Sequence, residues 1–311
     1  MKILVTGSDG FIGCHLTALL VAKGHQVEGI DTNKSLVPAW LRRERKKWSS
    51  IHSTDCDIRD LRSLIETIAQ ASPDVVIHLA AKAGVAGAEQ DPESYDAVNV
   101  RGVENLVNAC RLSNVKRLVH ASSSSVYGDA VGKIMENSQL RPMGHYGTTK
   151  VRGEQLLQDA SKDGDIDVLI LRPFSVIGAR GRPDMAPWRF AEALRADEEI
   201  QVHAGAGRDF TAVEDVARAF ALAAEADTKG CHMVNIGGGE PHLASELAER
   251  LANSLGRRCR MKPSLLPIYM PVSTHADIAQ ARSLLGWKPE VSFEQAVADF
   301  GEWYVRAHRD V

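Results

Sequence analysis

The chain has 311 residues, 44% of them hydrophobic, enough to bury a large core as one large or two modest domains. Its 37 Lys and Arg nearly balance 40 Asp and Glu, a net charge of -3, which gives no electrostatic footprint for nucleic acid or an anionic membrane. Five scattered cysteines (Cys14, Cys56, Cys110, Cys231, Cys259) form no CxxC pair and read as reduced thiols of a cytoplasmic protein, with no metal site expected. MKILVTG begins a strand at once, so no signal peptide is expected, and no apolar run reaches 18 residues, so neither is a membrane span.

Apolar runs at 2–7, 26–31, 74–80, 117–123 and 167–173 read as strands, and the stretches 11–23, 60–70, 94–113 and 147–162 between them as helices. Near-continuous apolar strands alternating with helices predict an α/β protein with a doubly wound parallel sheet covered on both faces. RRERKK (42–47) reads as a solvated helix face. After residue 173 the texture changes: 175–187 is rich in Gly, Pro and Arg and reads as a long loop. A helix–strand unit at 215–239 returns to the sheet, and 240–311 reads as mostly helical with a Pro-rich connection at 263–271. The expected division is a cofactor domain of 1–173 plus about 211–236, and a smaller, mostly helical substrate lobe of about 174–210 plus 237–311.

VTGSDGFIG sets Gly7, Gly10 and Gly13 after the first strand, at the opening of a helix. Glycines there permit a tight turn and close approach of a pyrophosphate, which the unpaired N–H groups and dipole of the helix N-terminus favour. Asp31 ends the second strand, where a carboxylate can accept hydrogen bonds from ribose hydroxyls and repel a 2′-phosphate; this favours NAD, with Lys34 and Arg42 leaving NADP as the alternative. Asp57 and Ile58 of DCDIRD stand between the strands at 26–31 and 74–80, and Asp57 reads either as facing the adenine or as a helix N-cap.

Tyr146 and Lys150 stand at i and i+4 and share a helix face. An ammonium beside a phenol favours phenolate, which can take a proton from a sugar hydroxyl as hydride leaves the same carbon. Together with the glycine turn and a strand ending in Ser, this spacing points to a dehydrogenase-type centre.

VTGSDGFIG, VIHLAAKAGV, VNVRGVENLVNAC, ASSSSVYG and YGTTK resemble, over nearly the whole chain, the extended short-chain dehydrogenases of the sugar-nucleotide epimerase/dehydratase group. The resemblance implies a Rossmann fold. It implies Ser123, Tyr146 and Lys150 as catalytic, with Lys150 also on the nicotinamide ribose. Phe11 and Ile12 beside the glycines, Leu79, Ala80, Ala81 and Asn99 would line NAD, and Lys82 would lie near its phosphates. Related dehydratases and decarboxylases carry carboxylates where this chain has Ser124 and Ser125, so neither reaction is expected, and a 4-epimerase cycle through a 4-keto sugar remains. GRPDMA (181–186) is similar to the uronate 4-epimerases, implying that Ser124, Ser125 and Ser175 hold a sugar carboxylate with Arg182 near it, and that Arg208 of RDFTAVED contacts the substrate diphosphate. A homodimer through helices 94–113 and 147–162 is implied as well. UDP-glucuronate is favoured; UDP-glucose and a net nucleotide-sugar oxidoreductase are the alternatives.

Three departures stand out. Met270 replaces an expected ribose-binding Asp, which leaves the carrier nucleotide open. Ile177 replaces a common Tyr. Gly144, His145 and Gly147 surround Tyr146, with two glycines that weaken the helix by about 1 kcal/mol each and a histidine that reads as solvent-facing.

Overall fold

The computed structural model describes every residue except 33–36, 204 and 310–311, so Lys34 lies outside the described residues. The chain begins β1 (Lys2–Thr6), α1 (Phe11–Ala22), β2 (Gln26–Asp31), α2 (Ala39–Ser49), β3 (Ser53–Asp55), α3 (Leu61–Ala71) and β4 (Val75–His78). Two short helices, α4 (Val85–Gln90) and α5 (Pro92–Asp96), lead through a π-helical turn (Ala97–Arg101) into α6 (Gly102–Leu112) and β5 (Arg117–Ala121). A 3-10 turn (Ser124–Val126), α7 (His145–Lys162) and β6 (Asp167–Pro173) follow. The remainder is β7 (Ser175–Ile177), α8 (Ala186–Arg195), β8 (Ile200–His203), β9 (Gly207–Ala212), α9 (Val213–Glu225) and β10 (Cys231–Ile236), then β11 (Pro241–Leu243), α10 (Ala244–Ser254), β12 (Met261–Ser264), α11 (Ala279–Leu285) and α12 (Phe293–Arg309).

Among the described residues, seven strands form one parallel sheet in the order β3-β2-β1-β4-β5-β6-β10. This is the doubly wound arrangement expected from the apolar strands, and its order reverses between β1 and β4. Leu16 and Leu20 of α1 with Val216 and Phe220 of α9 pack one face; Leu64 and Ile68 of α3, Leu106 of α6 and Leu157 of α7 pack the other. A third cluster joins Trp188 of α8 to Phe300, Trp303 and Tyr304 of α12.

Four details differ from the sequence reading. The single helix expected over 94–113 is α5, a π turn and α6, because the extra residue of a π turn leaves no mark in the apolar spacing. The expected loop over 175–187 contains β7 and the start of α8. The C-terminal part is not only helical: its β11 and β12 complete small sheets, β7-β9-β11 and β8-β12, whose strands are too short to show periodicity. The basic run lies on α2 but is not wholly solvated: Arg45 is 2% exposed.

Candidate active site

The chemistry-bearing residues gather at the carboxyl ends of β1, β2, β4 and β5, around the point where strand order reverses, the usual ligand crevice of such sheets. The glycine turn is closely packed. Gly7 has φ 72°, a Cβ on it would come within 2.7 Å of the Ala80 nitrogen, and one on Gly13 within 2.1 Å of the Gly7 carbonyl oxygen. Any side chain would therefore open the turn, and Gly10 donates its N–H across it to the Gly7 oxygen. Phe11 and Ile12 open α1 directly behind. The backbone N–H groups of Leu79 and Ala80 are held by the Thr6 carbonyl and hydroxyl oxygens, so the 79–81 segment lies against the turn. This packing, with the free N-terminus of α1, fits a dinucleotide pyrophosphate.

Asp31 ends β2 beside the turn and accepts the Asp9 N–H at 2.9 Å. Burial, then the neighbouring Asp9 carboxylate, push its pKa up to about 6, so it is ionised at neutral pH and can accept ribose hydroxyls. Lys46 of α2 lies 3.0 Å from the Asp9 carboxylate, countering that second negative charge. The helix N-cap considered for Asp57 belongs to Asp60, which accepts the Ser63 N–H; Asp57 instead holds the Arg59 guanidinium. Ile58 is buried under Gly102 at the start of α6.

Asn99, buried in the π turn, exchanges two hydrogen bonds with the Lys82 backbone, both 2.9 Å, and donates to the Thr149 hydroxyl of α7 at 3.1 Å. It ties the end of β4 to the helix that carries Tyr146 and Lys150. The Lys82 ammonium pairs with Asp91 at 3.0 Å, facing the α4–α5 segment.

The serine run turns tightly after β5: the Ser123 hydroxyl accepts the Ser125 N–H at 3.1 Å and donates to the Ser125 hydroxyl at 3.1 Å. α7 approaches this turn because residue 147 is glycine; a Cβ there would meet the Ser125 carbonyl oxygen at 2.5 Å. The Ser123 hydroxyl acts on the Tyr146 phenol, and the structure thus brings the serine, the phenol and Lys150 together. Burial raises the phenol above its ordinary value, while the Arg182 guanidinium and Ser123 pull it down. Lys150 is the phenol's neighbour but is not aimed at its hydroxyl: the ammonium lies 6.0 Å from the ring centroid and donates to the Ala121 carbonyl oxygen at 2.9 Å. Burial brings Lys150 itself down to about 8, opposed by Glu154 one turn along α7.

Sequence reasoning missed several contributors. Glu154 and Arg172, 1% and 2% exposed, form a bidentate pair between α7 and β6, and Ser122 donates to the same carboxylate. The signal was a lone Arg in an otherwise apolar strand, since a buried charge needs a partner. Glu89 of α4 accepts the His145 N–H at 2.7 Å and so caps α7. The His145 ring, read as solvent-facing, reaches the Pro92 carbonyl oxygen at 3.2 Å.

On the other side of the cleft, Arg182 pairs with Asp184 in the turn before α8, and Gly84 passes so close that a Cβ would lie 3.0 Å from the guanidinium. Ser175 opens β7 and pairs with Phe210, the second residue after Arg208. Arg208 donates to the Gly207 and Val272 carbonyl oxygens, beside the turn that holds Met270. Its neighbour Asp209 is buried and accepts N–H groups from Gly238, Gly239 and Ala276.

A UDP-glucuronate 4-epimerase of Thermodesulfobacterium geofontis (strain OPF15) is 31% identical over 308 residues, 96% of this chain and 95% of that protein. Among solved structures, the UDP-glucuronic acid 4-epimerase from Bacillus cereus in complex with UDP-glucuronic acid and NAD has a TM-score of 0.92 at 31% identity, covering 98% of this chain and 99% of that one. The UDP-glucose 4-epimerase of Thermus thermophilus in complex with NAD has a TM-score of 0.88 at 27% identity, over 98% of this chain and 99% of that one. Residues 3–237 match the model of the NAD dependent epimerase/dehydratase family, and a match over most of the chain means that it belongs to that family.

Proposed function

We propose that the protein is an NAD-dependent 4-epimerase of a nucleotide sugar, converting UDP-glucuronate to UDP-galacturonate. The observation that carries this reading is the hydroxyl-lined turn at 123–125, packed against the helix of Tyr146 at Gly147, with no carboxylate at 124 or 125. Without an acid or base there, elimination and assisted loss of CO2 lack a catalyst, and simple oxidation and reduction at C4 remains.

In this reading Tyr146 takes the proton of the C4 hydroxyl and returns it, with Ser123 bonded to the same oxygen. Bound NAD supplies the hydride exchange at C4, with no net redox change. Lys150 holds the nicotinamide ribose, and Asp31, Asn99 and the 79–82 segment fix the cofactor between turns of the cycle. Ser124, Ser125 and Ser175, with Arg182, hold the sugar carboxylate, and Arg208 the diphosphate. A carboxylate gripped by hydroxyls stays in place while the 4-keto sugar, a β-keto acid, exists. The cofactor domain is 1–173 plus about 211–236, with the rest as substrate lobe. Five free cysteines suit a reducing compartment, and we place the enzyme in the cytoplasm. A homodimer through α6 and α7 belongs to the same proposal; a monomeric mass by light scattering would remove it.

The test is proton NMR of the purified protein with UDP-glucuronate and, separately, UDP-glucose, without added cofactor. A new UDP-galacturonate anomeric signal and no decarboxylated product is the expected result. Conversion of UDP-glucose alone would retain the epimerase and reject the carboxylate contacts. Consumption of free NAD(P)H would reject both in favour of a net oxidoreductase. Tyr146→Phe is expected to reduce turnover at least about 10³-fold, at the scale of general acid–base catalysis, while the protein still copurifies with NAD; an active variant overturns the assignment of Tyr146 as base.

A further inference from the structure

The basic run on α2 has an unexplained buried member. Arg45 donates through Nε and Nη2 to the Arg180 carbonyl oxygen at 3.0 and 2.8 Å, and through Nη2 to the Gly181 oxygen at 3.0 Å. From α1, His15 Nε2 donates to the preceding carbonyl, that of Ala179, at 2.9 Å. Burial brings the His15 pKa down to about 4, so its ring is a neutral donor at physiological pH. Three consecutive carbonyl oxygens of the turn before α8 are thus taken by side chains of the two helices that flank the glycine turn. The turn is not a relaxed one: Arg180 has φ 63°, a left-handed conformation for a residue with a Cβ. Its guanidinium is stacked over Trp48 of α2 at 3.7 Å and lies 3.3 Å from Glu44. The residue after Gly181 is Arg182, the cation that acts on Tyr146.

We propose that Arg45 is a positioning residue: by holding the Arg180 and Gly181 carbonyls it fixes the turn that presents Arg182 to the substrate. This rests on the reading of Arg182 as a substrate contact. An Arg suits the task because its planar fork can bind two carbonyls in one fixed geometry, which a flexible ammonium cannot. Lys46, the next residue, reaches the Asp9 carboxylate in the glycine turn, so adjacent residues of α2 brace the two sides of the cleft.

Arg45→Met in the NAD-loaded holoenzyme is expected to raise KM for UDP-glucuronate, or for UDP-glucose if the wild type turns over only that sugar, about tenfold, since small misplacements near a reacting centre carry effects of that order or more. NAD content should be unchanged, and kcat on the high-pH plateau of its profile within about threefold. In an Arg182→Ala background, itself raised in KM, Arg45→Met should add less than about twofold, because the two residues act through one contact. Trypsin should cut after Arg180 in the Arg45→Met protein and not in wild type. Arg45→Lys keeps a charged donor and should give a smaller KM rise, which serves if the Met variant does not fold. An Arg182→Ala enzyme with wild-type KM would reject the reading of Arg182. If Arg182→Ala raises KM, an unchanged KM for Arg45→Met, an equal rise in both backgrounds, or loss of NAD with the rise would each overturn the role of Arg45.

Discussion

Tyr146 is a phenol held between opposing influences. Burial disfavours the phenolate, and the Arg182 cation and the Ser123 hydroxyl favour it. Removing the cation by Arg182→Met should raise the phenol pKa further, so the limb on which kcat climbs with pH should move to higher pH. A kcat profile at saturating substrate checks this, and an unmoved limb would show that Arg182 does not act on the base. Gly7, Gly10, Gly13, Asp31, Ser123, Tyr146 and Lys150 were all legible in the sequence, because each belongs to a short-range pattern with its own chemistry. Arg45, His15, Glu89 and Glu154 were not. Each looks like an ordinary surface or helix residue until the fold supplies a partner more than 15 positions away. The aim of the Lys150 ammonium was not legible for the same reason: i,i+4 spacing gives a shared face but not the Ala121 carbonyl oxygen to which the ammonium donates.

At the level of elements, α7 is a compromise between propensity and access. By propensity alone, Gly147→Ala should stabilise the helix by about 1 kcal/mol. The Ser125 carbonyl oxygen, 2.5 Å from the added Cβ, decides against it, because it is backbone and can yield only if the serine turn moves. The expected outcome is no gain in Tm and at least a tenfold fall in kcat, of the order that small displacements at a reacting centre produce; a stabilised, fully active variant would show the contact to be soft. Strand bounds were legible to within a residue or two, since apolar runs buried on both faces stand out. The π turn was not, although it aims Asn99 at Lys82 and Thr149. In α6, Val103, Leu106, Val107 and Cys110 are all buried within the chain itself.

The molecule as a whole depends on a late return of the chain. β10 pairs with β6 along its full length, after β7, α8, β8, β9 and α9 have intervened. A chain ending at residue 173 therefore leaves Val168, Leu169, Ile170 and Leu171 on an open edge, without α9 over one face. Expressed alone, this piece is expected in the insoluble fraction, and a soluble monomer with a cooperative melt would refute that. The alternation of strand and helix made most strands of the sheet legible, but not the order in which the protein can be made. At about 5–20 residues per second, the stretch from the end of β6 to the end of β10 takes about 3–13 s to synthesise. For that interval every ribosome on this message carries a sheet with six of its seven strands and an adhesive margin, so yield in the cell should respond to chaperone supply and to codons between positions 174 and 236 more than to codons elsewhere.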